Sequence, residues 1–274
     1  MTPSSKTYSN INTQEQNIIL QTKNLAVGYP SKKGNNIIAK DINFKLSAGE
    51  LTAIVGANGI GKSTLLRTLA GVQPKLKGEI NVRNKALDVY ENSDLAREIS
   101  IVLTEHIPAK NLSVLEVIAL GRQPYTNWIG ILSQTDQEKV KEVVSLVGLE
   151  HLKHKKCFEL SDGQLQRVMI ARALAQDTSI IILDEPTTHL DIYHKAYILK
   201  LLKTIAQKTR KAILFSTHEI ELAIQLCDKM LILDTQKSTF GEPCQLIERG
   251  SFQNLFPEDL ISFDATTGSF KVKK

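Results

Sequence analysis

The spacing of apolar and polar residues changes several times along this chain, and each change marks an element. Residues 18–29, IILQTKNLAVGY, form an extended-type run that predicts a strand. Residues 37–57, IIAKDINFKLSAGELTAIVGA, predict two further strands joined at the turn Ser47-Ala48-Gly49-Glu50. The spacing then becomes helical: KSTLLRTLAGV (62–72) places apolar residues three and four apart and stops near Gly71.

From about residue 92 to 175 the pattern is mainly helical, in LSVLEVIALGR, DQEKVKEVVSLVGLEHL and GQLQRVMIARALAQ. Short buried-type runs follow. SIIILDE (179–185) and AILFSTH (212–218) are apolar and end in polar residues, with the helical YHKAYILKLLKTIAQKT between them. That order predicts parallel strands covered by helices on both faces. DKMLILDT (228–235) is a further strand, and FDATTGSF predicts a small hairpin near the end.

A chain of 274 residues has room for one large domain or two small ones. Its 42% hydrophobic and 23% charged residues are the make-up of an ordinary soluble globular protein, and a formal net charge of +5 is too mild to identify a partner. Cys157, Cys227 and Cys244 are far apart and not in metal-ligand spacing, which fits structural thiols in a reducing compartment. The opening MTPSSKTYSNINTQEQN is polar throughout and reads as a disordered tail over 1–16, not a secretion signal. No apolar run approaches the roughly 18 to 20 residues that span a bilayer. If the protein works at a membrane, another subunit supplies the span.

The most specific chemistry lies in Gly56-Ala57-Asn58-Gly59-Ile60-Gly61-Lys62-Ser63-Thr64, which satisfies G-x-x-x-x-G-K-[ST] between a predicted strand and a predicted helix. Glycines let backbone N–H groups converge on phosphate oxygens, Lys62 neutralises the outer phosphates, and the Ser63 hydroxyl ligates Mg2+. Magnesium is a hard cation that needs further oxygen ligands, so an acid is expected on a neighbouring strand end. IIILDEP supplies it: Asp184 is the metal-side acid and Glu185 the base for an attacking water. His218 ends the next strand, at the same edge of the sheet, in reach of a terminal phosphate, of Glu185 or of its water.

With these residues in place the chain resembles the ATP-binding cassette ATPases, over nearly all of residues 18–235 and with several motifs in the family's order. GANGIGKST looks like the phosphate loop, LSDGQLQRV the signature sequence, IIILDEP the magnesium and base strand, THLD (188–191) the dimer-contact loop, and STH the switch histidine. Tyr29 matches the aromatic that stacks on adenine. The resemblance implies an α/β fold, a P-loop NTPase (RecA-like) core with an antiparallel β subdomain and an inserted α-helical subdomain. It divides the chain into a tail (1–16), an ATPase domain (17–234, helical part about 92–175) and a C-terminal extension with a short hairpin (235–274). ATP and Mg2+ are the implied cofactors. It also implies a head-to-tail pair of copies, in which Ser161, Asp162, Gly163 and Gln164 of one close over the ATP of the other while His189 and Asp191 line the contact.

Two positions depart from the family pattern. The signature has Asp162 where glycine is usual, and the expectation is that Asp162 is the helix N-cap, accepting from the N–H groups of Gln164 and Leu165 and leaving Ser161, Gly163 and Gln164 to meet the phosphate. Where the family has a glutamine that senses magnesium and contacts the membrane partner, this chain has Thr104 followed by Glu105, either of which is a candidate metal-side group. VIALGRQPYTNW (117–128) resembles importers of iron–siderophore complexes, haem or cobalamin, although the same residues also fit a plain helix that ends at Gly121 with Pro124 enforcing the stop. The implied function is therefore the ATP-hydrolysing subunit of a metal-chelate importer. It would sit peripherally on the cytoplasmic face of the bacterial inner membrane, beneath permease subunits fed by a substrate-binding protein. The alternatives are a soluble cassette ATPase acting on DNA or ribosomes, and a nucleotide-binding regulator that does not hydrolyse. The first usually carries coiled-coil insertions or two cassettes, absent here, and Glu185 and His218 argue against the second.

Overall fold

The computed structural model describes residues 17–32, 34–103, 111–234, 238–256 and 260–273. The tail expected over 1–16 lies outside them. In chain order the elements are β1 (Ile18–Tyr29), β2 (Asn36–Ser47), β3 (Leu51–Val55), α1 (Lys62–Leu69), β4 (Lys77–Val82), β5 (Lys85–Ala86), α2 (Asn92–Glu98), β6 (Ile99–Val102), α3 (Val114–Ala119), α4 (Gln134–Val147) and α5 (Asp162–Ala175). There follow β7 (Ile180–Leu183), α6 (Ile192–Thr209), β8 (Ala212–Ser216), α7 (Ile220–Leu226), β9 (Lys229–Ile232), β10 (Thr239–Gly241), α8 (Pro243–Glu248), β11 (Ile261–Asp264) and β12 (Ser269–Val272).

These strands make three sheets: an antiparallel β2-β1-β4-β5, a larger β10-β9-β3-β8-β7-β6 that is parallel except for β10, and the hairpin β11-β12. The turn at Ser47–Glu50 forms as expected, with Glu50 N–H donating to Ser47 O at 3.3 Å. It joins strands of different sheets, so it is a crossing and not a hairpin. Ile99–Val102 lies inside the span whose pattern is mainly helical, yet it is an edge strand of the large sheet; four residues are too few to show a period of their own.

The parallel strands are buried on both faces, and their side chains alternate between two cores. Ile180 and Ile182 of β7 join the cluster that holds the antiparallel sheet and Leu65, Leu66 and Leu69 of α1, while Ile181 and Leu183 join the cluster with α3, α4, α5 and α6. Helix α1 is thereby sandwiched between the two sheets, and each of its three buried leucines stabilises by about 1.5–3 kcal/mol. That packing fixes the start of α1, where Lys62 sits.

The segment Leu-Gly-Arg-x-Pro is architectural in this fold. The α-helix does not end at Gly121: it passes into a 3-10 turn, Leu120–Tyr125, that includes Pro124. Gly121 lies flat against α5, where a Cβ would come within 2.2 Å of Arg172 O. Arg122 is 6% exposed and donates from Nε to Asp136 Oδ1 at 2.8 Å and from Nη1 to Ala175 O at 2.7 Å. It therefore pins the start of α4 and the end of α5 to one point. Among the described residues no helix is long and apolar enough to cross a membrane. Cys157 and Cys227 are buried and Cys244 is exposed, all three as free thiols.

Candidate active site

Because β3, β8 and β7 are parallel neighbours, the residues that follow them emerge at one sheet edge. After β3 the loop Gly56–Gly61 turns into α1, with Gly56 buried at its base and Ala57, Asn58 and Gly59 exposed at its crown. The crown is closed by Ile60 N–H donating to Ala57 O at 3.3 Å. Gly61 is the N-cap of α1 at φ 106°, where an added Cβ would lie 2.7 Å from Ile38 Cγ2. A glycine cap has no side chain to occupy the first-turn amides, so this helix start is open to an anion.

Lys62 is buried, and its ammonium folds back to donate to Gly56 O at 3.0 Å and Ala57 O at 3.3 Å. Burial pushes its pKa below the ordinary lysine value, and the carboxylates of Glu185 and Asp184 pull it back up. Ser63 Oγ donates to Asp184 Oδ1 at 3.1 Å, which brings the two expected metal-side oxygens together across β8. Cis oxygens around octahedral Mg2+ at 2.0–2.1 Å stand about 2.9 Å apart, so this pair fits such an ion with phosphate and water completing the shell. Among the described residues no group of three or more His, Cys, Asp or Glu could hold a metal.

Asp184 and Glu185 follow the last residue of β7. Glu185 adopts a left-handed backbone, φ 48°, which costs about 1–2 kcal/mol in a residue with a Cβ. Three bonds hold it there. Its N–H donates to Ser216 Oγ at 2.9 Å, Thr188 Oγ1 donates to its Oε2 at 3.0 Å, and His218 Nε2 lies 2.7 Å from its Oε1. An ionised carboxylate only accepts, so Nε2 carries the proton. Ser216 Oγ in turn donates to Asp184 Oδ1 at 2.7 Å. This serine ends β8, between β3 and β7, and bridges the acid of one strand to the backbone of the next residue. The motifs assign no role to Ser216 or Thr188. Their only local signal is a hydroxyl in FSTHE and another at the start of THLD, and strand order is needed to interpret either.

Tyr29 is exposed at the end of β1, where Gly28 pairs with Ile37 and Tyr29 with Asn36, next to the Ile38 that touches Gly61. The strand pairing thus brings the end of β1, where Tyr29 stands, near the strand that packs on the loop. Thr104 and Glu105 lie outside the described residues. His189 is exposed with φ 66°, and Asp191 is the N-cap of α6, accepting from His194 N–H at 2.9 Å.

The signature helix differs from its expected form. Its N-cap is Ser161, and Asp162 is the first helical residue. Ser161 Oγ accepts from Gln164 N–H at 3.4 Å and Gln164 Oε1 accepts from Ser161 N–H at 3.1 Å, a reciprocal box that S-x-x-Q encodes. Leu165 N–H goes to Ser161 O at 2.8 Å, so the bonds expected to Asp162 do not form. Ser161 and Gln164 spend their side chains on each other, and Gly163 packs beneath His194. Asp162 is exposed at the positive end of the helix, a placement that favours an acid by about 0.3–1 kcal/mol without a cap bond. A carboxylate about 6 Å from a phosphate charge would repel it by about 3 kcal/mol at an effective dielectric of about 20, and the expectation is that this exposed side chain turns away from the nucleotide. Asp162→Gly is therefore expected to change the KM for ATP by no more than about threefold; a gain of about tenfold in a steady-state assay would mean that the carboxylate faces the phosphate.

The family model described as ABC transporter matches residues 39–188, from β2 through the loop that contains Glu185. The chain belongs to the ABC transporter family. An uncharacterised ABC transporter ATP-binding protein of Methanocaldococcus jannaschii is 38% identical over 93% of this chain and 87% of its own length. The petrobactin import ATP-binding protein FpuD of Bacillus anthracis is 34% identical over 91% of each. Among solved structures, an inward-facing ABC transporter described as of metal-chelate type aligns with a TM-score of 0.76 at 28% identity, covering 93% of this chain and 96% of that one. The ABC fold, with its P-loop core, antiparallel subdomain and helical part, is therefore the frame in which these side chains act.

Proposed function

We propose that this ABC protein is the ATP-hydrolysing, energy-coupling subunit of an importer for a chelated metal, with an iron–siderophore complex as the cargo. The observation that carries the hydrolytic part is Glu185, strained and held between His218 and Thr188 beside Lys62, Ser63 and Asp184. The name of the petrobactin import relative, together with those of a siderophore transport protein and an iron(3+)-hydroxamate import protein of Bacillus subtilis, supports the cargo class. Within the wider set of siderophore, haem and cobalamin these names favour the first.

In this mechanism Tyr29 stacks on adenine, and Lys62 with the first-turn amides of α1 receives the terminal phosphates. Ser63 and Asp184 would hold Mg2+, which when bound supplies charge neutralisation on the phosphate oxygens. Glu185 takes the proton from the attacking water, and His218 keeps that carboxylate oriented. A second copy presents Ser161–Gly163 to the same phosphate, with His189 and Asp191 at the contact, so each chain supplies half of two shared sites. The closed pair lasts only while the terminal phosphate remains, and hydrolysis releases it. The pair acts from the cytoplasmic face of a bacterial inner membrane on permease subunits that receive cargo from a substrate-binding protein.

The test is ATP turnover by the chain co-purified with its permease and given the substrate-binding protein. Ferric siderophore is expected to stimulate turnover several-fold over the unloaded complex. Stimulation by haem or cobalamin alone would move the cargo to that class, and stimulation by none of the three would overturn the importer reading.

A further inference from the structure

The element that follows His218 is the two-turn helix α7, and a helix that short takes its orientation from what it packs against. Ile220 and Ala223 face the core. A different side of α7 meets the C-terminal hairpin: Glu221 Oε1 accepts from the backbone N–H of Phe270 at 3.0 Å, and a Cβ on Gly268 would lie 3.8 Å from Ile224 Cγ2. The hairpin is itself anchored by aromatic rings. Phe263 and Phe270 are cross-strand partners with centroids 5.0 Å apart, Phe263 stacks at 5.0 Å on the fully buried Phe252, and Phe270 meets Phe256 edge-on at 5.1 Å. Phe252 belongs to the same core cluster as Ile220 and Ala223.

The near end of α7 is braced as well. Glu219, its N-cap and the neighbour of His218, is ion-paired with Lys195 in the first turn of α6. Lys195 stands four residues after Asp191, so its ion pair with Glu219 ties the segment after Glu185 to the segment after His218. Between the brace at Glu219 and the hairpin at Glu221, α7 has little freedom to carry His218 away from Glu185. The His218–Glu185 contact is short, 2.7 Å, and a hydrogen bond of that kind is lost once its atoms part by about a further angstrom.

We propose that the C-terminal hairpin is a positioning element for the switch histidine. By holding α7 through Glu221, with Phe263 and Phe270 anchoring the hairpin to the core, it keeps the His218 imidazole in register with Glu185, and so it sets the rate of ATP turnover and not the affinity for nucleotide. This rests on the reading of Glu185 and His218 as the hydrolytic pair. Residues 260–273 are then part of the catalytic apparatus at one remove.

The experiment measures kcat and KM for ATP in the assembled permease complex. Four forms are compared: the wild-type chain, a chain lacking residues 260–274, His218→Ala, and the two changes combined. Deletion is expected to lower kcat about tenfold with KM within about twofold, and to cost nothing further once His218 is gone, because effects that run through one residue are not additive. Glu221→Ala in the full chain is expected to lower kcat about threefold, and Glu221→Gln, which keeps an acceptor oxygen, to restore it. This pair decides the matter if the shortened chain does not fold. An unchanged kcat in Glu221→Ala, an equal loss in kcat and affinity on deletion, or a full additional loss in the His218→Ala background would overturn the proposal. If His218→Ala by itself leaves turnover intact, the failure lies one step earlier, in the hydrolytic pair, and the hairpin proposal falls with it.

Discussion

Glu185→Gln is expected to lower ATP turnover by about 10²–10⁴-fold, the range set by loss of a positioned general base, while leaving ATP affinity within about threefold. The amide oxygen still accepts from His218, the Thr188 hydroxyl can turn to accept from the amide NH2, and Ser216 still receives the backbone N–H, so the site keeps its shape. What it loses is the carboxylate, held by His218 and Thr188, that takes a proton from water. Steady-state kcat in the assembled complex, with equilibrium binding of a fluorescent ATP analogue alongside, separates the two effects. A loss of affinity equal to the loss of rate would mean that Glu185 holds nucleotide and is not the base.

Arg122→Ala has the largest expected effect on stability, about 3–5 kcal/mol, because it leaves Asp136 buried without its cation and Ala175 O without its donor. Hydrogen bonds from Ser133, and then from Arg122, hold the Asp136 carboxyl below its ordinary value despite burial. A carboxylate depressed in the folded state contributes stability that is full above its unfolded pKa of about 3.9 and is lost as pH falls through the lower folded value. Wild type should therefore lose this contribution below about pH 4, and the difference between wild type and variant should shrink there. Urea unfolding at neutral and acid pH measures both. Arg122 thus grips the far end of the signature helix, and this segment of the sequence clamps α5.

Much of the site is legible in the sequence because its motifs are local. Lys62, Ser63, Asp184, Glu185 and His218 each stand at a fixed distance from an apolar strand run, and a parallel sheet necessarily delivers such positions to one edge. Ser216 and Thr188 are not legible, since their roles depend on β8 lying between β3 and β7 and on the turn that Glu185 makes, and neither strand order nor a positive φ at glutamate is written in spacing. Asp162 fails as the expected cap for a different reason. Two good capping residues stand side by side, and only the pairing of Ser161 with Gln164 three residues on decides between them. Ile99–Val102 is hidden because an edge strand of four residues, wedged between helical patterns, is shorter than either period needs. The hairpin at 261–272 is legible as a turn, but its contact with α7 is tertiary and has no counterpart in the pattern.

The central claim is that ATP hydrolysis at Glu185 drives cargo across a membrane through partner subunits. Uptake of ferric siderophore into proteoliposomes holding the permease, the substrate-binding protein and this chain tests it most directly. The wild-type complex is expected to accumulate cargo only with ATP, and the Glu185→Gln complex to bind ATP and accumulate none; uptake by the Glu185→Gln complex at the wild-type rate would contradict the account.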